Sequence, residues 1–248
     1  MQRSLPIFRW GTIGPSRPGA VQVGPGYRFY RLVPPEVMLV TTGLVGLNDY
    51  TKQDVERAME SYWECVDLLA KEKVDVIVFG GAPISAQLGR KRALELFAET
   101  KKRTGIPVSS TLESAIEAMN HLRVKRLVIA SLFADEVNQG FRSYFEDAGI
   151  EVLAVPGRGM WATELNRLTF EERLQLQLDM GQEAAELAPG AEGVLIPGGS
   201  VAEVAIVPIE EKYGKVVFTN YNTEVWATLV HPGVIPPIQG WGKLLATP

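Results

Sequence analysis

The chain has one cysteine, Cys65, and two histidines, His121 and His231. One thiol excludes an internal disulfide, and two imidazoles with one thiol do not form a metal-binding cluster. The expectation is a protein with no cofactor, in a reducing, cytoplasmic setting. No apolar run reaches the roughly 18 residues of a membrane-spanning helix, so no membrane partner is expected. Residues 1–6 lack the apolar core of a secretory signal. There is no excess of positive charge either: the net charge of −4 and pI of 5.4 remove the electrostatic argument for nucleic acid. What remains is 248 residues with 46% hydrophobic content and mean hydropathy of +0.03. That is a globular composition with room for one large domain or two small ones.

Two glycine pairs stand out. Val76, Ile77, Val78 and Phe79 lead into Gly80, Gly81, Ala82 and Pro83; Val194, Leu195, Ile196 and Pro197 lead into Gly198, Gly199, Ser200 and Val201. Each is a short apolar strand, a Gly-Gly turn and a small residue opening a helix. Glycine lets backbone N–H groups approach a ligand, and a helix start adds partial positive charge. A single such turn reads as strand-to-helix punctuation; the matched pair, in opposite halves of the chain, points to a site for a small anion. The duplication continues. Residues 105–111 precede a helical run over 112–120, and residues 214–220 precede one over 221–230. Aligned without gaps, Val108 meets Val217, Ile116 meets Val225 and Ala118 meets Ala227. A repeat of half the chain suits two α/β lobes around a shared cleft.

The remaining pattern alternates in the same way. Strands are expected over 8–13, 37–41, 74–79, 126–131, 151–155 and 193–196, and helices over 52–72, 86–104, 134–148, 170–187 and 201–213, with Pro208 kinking or dividing the last. Residues 156–169 read as a loop with at most a short helical turn. Fully apolar strands alternating with helices indicate parallel sheets covered on both faces. Ligands of such sheets bind beyond the carboxyl ends of the strands, where both glycine pairs fall.

The chain resembles the aspartate/glutamate racemase superfamily, in its maleate isomerase and arylmalonate decarboxylase branch. The resemblance covers nearly the whole chain. It rests on the runs Trp10 to Ser16, Val74 to Gly81, Val124 to Ala130, Asp135 to Asn138 and Gly149 to Val152, and on Gly193 to Gly199 followed by Pro208, Ile209, Glu210 and Glu211. It implies an α/β fold of two Rossmann-like lobes with parallel sheets, related by a pseudo-twofold axis, with the active site between them. The implied lobes are 1–118 with 221–248, and 119–220. It also implies a cysteine after the apolar strand of each half, or of the second half alone in the decarboxylases. This chain has Gly81 and Gly198 at those positions. Where the decarboxylases carry hydroxyls it has Ala82, Pro83 and Phe133. Cys65 falls among Tyr62, Trp63, Val66 and Leu69 on a helix, which reads as a small buried hydrophobe.

With the thiols gone, the binding groups that remain are backbone N–H donors around Gly81, Ala82, Gly199 and Ser200, beside Gly198 and Phe133. Ser16 and Arg17 lie in the loop where the family places substrate-binding groups, and Arg17 suits a bidentate carboxylate contact as well as it suits solvent. The catalytic candidates are Glu164, an acid in a loop beside Trp161, and Ser200, whose alternative role is a helix N-cap forming a capping box with Glu203. Asn138, and one of Asn220, Tyr221 and Asn222, are expected near the site. Met160 and Trp161 with Leu44, Val45 and Leu47 form either an apolar wall or local packing. His121 reads as structural. Pro232, Pro236 and Pro237 suggest an extended tail suited to a subunit contact in a homo-oligomer. The implied function is a cysteine-independent isomerase or decarboxylase acting on a small carboxylate or carbonyl compound through an enolate-like state. A hydrolase or hydratase holding water in the vacated positions, and a non-catalytic binding protein, stay open.

Overall fold

Apolar strands feed helices throughout the computed structural model, which describes residues 8–15, 25–165, 167–198 and 201–248. The first half runs β1 (Phe8–Pro15), α1 (Pro25–Phe29), β2 (Val37–Leu44), α2 (Lys52–Met59), α3 (Tyr62–Lys71), β3 (Val76–Phe79), α4 (Ala82–Leu88), α5 (Arg90–Thr104), β4 (Val108–Ser110) and α6 (Thr111–His121). The second runs β5 (Arg126–Ile129), β6 (Ser131–Phe133), α7 (Asp135–Glu146), β7 (Glu151–Ala154), β8 (Gly157–Met160), α8 (Ala162–Leu165), α9 (Phe170–Leu187) and β9 (Gly193–Ile196). It ends with a 3-10 turn (Ala202–Ala205), α10 (Ile206–Tyr213), β10 (Val216–Thr219), α11 (Asn220–Val225), a π-helical turn (Trp226–Val230) and α12 (Gly242–Leu245).

Two four-stranded sheets form, in the orders β2-β1-β3-β4 and β10-β9-β5-β7, and every pairing in both is parallel. This is the two-lobed parallel α/β architecture that the alternation implies. All four residues of β3 and of β9 are buried, as strands covered on both faces must be. The duplication reaches the helix caps. Ser110 Oγ accepts the Glu113 N–H at the start of α6, and its counterpart Thr219 Oγ1 accepts the Asn222 N–H at the start of α11.

The structure departs from the sequence pattern where side chains interrupt it. The helix expected over 52–72 divides into α2 and α3, because the Ser61 hydroxyl donates to the Ala58 carbonyl and accepts the Val45 N–H. A serine that bonds the backbone competes with the helical ladder. The helix expected over 86–104 starts earlier, at Ala82, and breaks at Gly89, where φ is +75°. Residues 156–169 contain a strand, β8, paired in parallel with β6. The run expected over 201–213 does divide in two, into the 3-10 turn and α10, but the division falls before Pro208, which does not kink α10. The proline sits in the first turn of α10, where a missing N–H costs nothing.

Gly140 on α7 faces the backbone of α4; a Cβ there would lie 2.8 Å from the Ala86 carbonyl oxygen. The bare glycine lets these helices meet. Since α4 follows Gly81 and α7 follows Phe133, their contact brings the first glycine turn toward the β6 end of the second lobe. Elsewhere α11 packs on α6, and α12 packs on α10 and β10. Cys65 is buried on α3, with Sγ 3.4 Å from the Gly43 carbonyl oxygen. His121 packs against the stacked rings of Trp226 and His231, a packing role.

Candidate active site

Both glycine turns need glycine. Gly81 caps α4 with φ +87° and ψ +76°, and a Cβ there would also lie 2.9 Å from Ile84 Cδ1. Gly198 has φ +73°, and a Cβ there would lie 2.8 Å from Phe133 Cζ and 2.9 Å from Cε2. The Phe133 ring therefore occupies the space into which a side chain at 198 would project. Its own position is fixed from several sides. Tyr50 meets the ring edge-on at 5.6 Å, the Ser131 hydroxyl accepts the Phe133 N–H, and Asn138 Nδ2 donates to the Phe133 carbonyl. Asn138 is thus next to the site, but its amide nitrogen is spent on backbone. Asn220 is the member of the 220–222 group that reaches the second turn: its Oδ1 accepts the Gly198 N–H at 3.0 Å. The Gly198 N–H is therefore engaged within the protein.

Ala82 and Pro83 are buried in the first turn of α4. A helix start leaves N–H groups without intrahelical partners. Proline supplies none, so the first turn offers one donor fewer. Met160 pairs with Phe133 across the β6–β8 ladder. Leu44 and Leu47 are buried core, whereas Val45 is 67% exposed and forms no wall. Glu164 turns back on its own helical turn, where its Oε2 accepts the Trp161 N–H at 2.6 Å. Ser16, Arg17, Gly199 and Ser200 lie outside the described residues.

The capping box expected of Ser200 and Glu203 falls on a residue outside the described ones, but the Glu203 side chain itself is buried. Its carboxylate takes two bonds from Arg28, from Nη2 at 2.5 Å and Nε at 3.1 Å, and a third from Thr219 Oγ1 at 3.3 Å. Arg28 also lies over the Tyr221 ring, 4.5 Å from its centroid. This buried fork ties α1, in the first half, to the 3-10 turn that follows the second glycine pair. Beside it lies a second buried acid. Glu224 is 3% exposed, and its Oε1 accepts from Thr111 Oγ1 at 2.5 Å. Burial, aided by the negative charge of Glu203 and opposed by the Thr111 hydroxyl and Arg28, pushes the Glu224 carboxyl up to about 7. The sequence reading missed both Arg28 and Glu224. Arg28 sits in a stretch that reads as loop, and the counterpart of Glu224 in the first half is Ala115, so the repeat gave no hint of an acid. The one available signal was Glu224 as the single charged side chain of the helical run 221–230.

Two parallel sheets carrying glycine turns at their carboxyl ends, in lobes joined by a buried ion pair, define a two-lobed parallel α/β fold. The chain belongs to the arylmalonate decarboxylase family, whose model matches residues 11–245. It is similar to the arylmalonate decarboxylase of Bordetella bronchiseptica, with 24% identity over 246 residues that cover 98% of each chain. Among solved structures it is similar to an arylmalonate decarboxylase variant in liganded form, in which a glycine was exchanged for cysteine and a cysteine for serine. That match has a TM-score of 0.82 and 20% identity, covering 96% of this chain and 98% of the other. It is also similar to a maleate cis-trans isomerase of Nocardia farcinica holding a covalently bound succinylcysteine intermediate. There the TM-score is 0.79 and the identity 14%, with 96% and 98% covered.

Proposed function

We propose that this chain is a thiol-independent lyase or isomerase that acts on a small carboxylate-bearing compound through an enolate-like state. One observation carries the reading. The Phe133 ring fills the space beside Gly198, where the family resemblance places a reacting cysteine. The thiol the chain does have, Cys65, is buried against the Gly43 carbonyl. On this reading the lobes run over residues 1–118 with 221–248 and over 119–220. Backbone N–H groups at Gly81, Ala82, Gly199 and Ser200 bind the developing enolate oxygen. Ser16 and Arg17 hold a carboxylate that stays, and Phe133 with Met160 gives the departing carboxylate an apolar surface. Moving a carboxylate from water to such a surface favours its loss as neutral CO2. The bonding electrons pass into the enolate, which then needs one proton at carbon.

The test is to incubate the purified protein with phenylmalonate and, separately, maleate, with no added cofactor, and to follow the acids by NMR. Formation of phenylacetate or of an isomerised acid is expected. In a third incubation, with a single enantiomer of an amino acid, racemisation would overturn the thiol-free reading. Binding of these acids by calorimetry with no conversion would make the chain a binding protein.

A further inference from the structure

We propose that Glu224, acting through the Thr111 hydroxyl, holds and delivers the proton that completes the reaction in this cleft; the proposal rests on the thiol-free reading above. The strand register places the pair. Ser110 lies beside Phe79 in the β3–β4 ladder, so Thr111 follows at the carboxyl edge next to Gly80 and the first glycine turn. Thr111 Oγ1 and Glu224 Oε1 are 2.5 Å apart, and the residues are 1% and 3% exposed. A proton held there is sheltered from bulk water and reaches the edge of the sheet through one hydroxyl.

The surroundings favour a neutral acid. Among the described residues, Arg28 from α1 and Glu203 from the 3-10 turn are the charged groups facing Glu224, and Tyr221 lies on its own helix. From α6 the facing group is the neutral Thr111. From the π-helical turn it is Thr228, whose hydroxyl donates to the Glu224 carbonyl while accepting the Trp10 indole N–H. From β10, Thr219 is turned to Glu203. Lys243 on α12 donates to the Gly214 carbonyl. Among the described residues one cation thus stands beside two carboxyls, and it is forked onto Glu203. A second buried anion would be uncompensated, and the group avoids this by keeping its proton.

With Glu224 protonated, its O–H donates to Thr111 Oγ1 and the threonine hydroxyl hydrogen is free to point elsewhere. In the step itself the Thr111 O–H bond breaks and a C–H bond forms from the enolate electron pair. Glu224 passes its proton to Thr111 Oγ1 and becomes a carboxylate. Water restores that proton after the product leaves.

The experiment compares wild type, Glu224→Gln, Thr111→Val and Thr111→Ser across pH, on whichever acid the wild type converts. Glutamine still accepts from Thr111, and circular dichroism confirms folding. We expect Glu224→Gln and Thr111→Val each to lower kcat by about 100-fold or more, with KM changed less than about 3-fold. Thr111→Ser should recover most of the loss. In wild type the rate should fall as pH rises through neutrality, and this limb should vanish in Glu224→Gln. Independently, the carboxyl carbon resonance missing from 13C-glutamate-labelled Glu224→Gln should titrate near neutrality in wild type. Turnover and pH profile unchanged in Glu224→Gln would overturn the proposal and leave the enzymatic reading intact. So would titration of that resonance in the ordinary carboxylate range. If wild type itself converts no acid, the enzymatic reading fails and takes the proposal with it.

Discussion

The Phe133 ring stands where a side chain on Gly198 would have to go, with Cζ 2.8 Å from the position of a Cβ. The two positions are therefore coupled. Gly198→Cys should be destabilising twice over, through overpacking of about 1–3 kcal/mol and through about 1–2 kcal/mol for a left-handed backbone. Phe133→Ala should cost about 3–5 kcal/mol through the cavity it leaves. In the double variant the new side chain enters that cavity, so the total should fall short of the sum by about 0.5–3 kcal/mol. Urea denaturation of the four proteins measures this. Strict additivity would mean that the ring does not block the position.

Arg28 and Glu203 form the buried fork between the halves. Arg28→Met should destabilise the fold by about 3–5 kcal/mol, because it leaves a buried carboxylate unpaired. Adding Glu203→Met should recover much of that loss, since a buried pair replaced by apolar groups is often close to neutral. Chemical denaturation checks it. A single variant within about 1 kcal/mol of wild type would place the pair in contact with water.

Glu224 also gives stability a pH dependence. Its carboxyl titrates near 4.5 in the unfolded chain and near 7 in the fold, so the folded protein holds the proton more tightly. The stabilisation is fully present below about pH 4.5 and is lost as pH rises through about 7, and it amounts to roughly 3 kcal/mol. Burial shifts Glu117 and Glu210 in the same direction. The measurement is therefore the difference between wild type and Glu224→Gln in denaturation midpoint from pH 4.5 to 8. Glutamine mimics the protonated acid, so the two curves should lie together near pH 4.5 and wild type should fall below the variant as the pH rises. Parallel curves would remove Glu224 from the titration.

The sheets and both glycine turns were legible because their causes are local. Apolar runs of strand length, alternation with helical spacing, and Gly81 and Gly198 at strand ends state the architecture directly, and the repeat that pairs Val108 with Val217 extends to the caps Ser110 and Thr219. Breaks set by one side chain, such as the Ser61 hydroxyl between α2 and α3, leave the periodicity intact and so pass unseen. The polar half of the site was not legible because it is tertiary. Arg28 and Glu203 are far apart in sequence, as are Thr111 and Glu224, and only the packing of α11 on α6 and of α1 against the second lobe brings them together.

The most direct test of thiol-independent chemistry is the kcat/KM of Cys65→Ala beside wild type, on an acid that the wild type converts. Cys65 is buried core, so the variant should lose only about 1 kcal/mol of stability, and iodoacetamide should label the folded wild type slowly. Thiol-independent chemistry keeps kcat/KM within about 3-fold of wild type. A fall of 100-fold or more in a folded Cys65→Ala protein would contradict it.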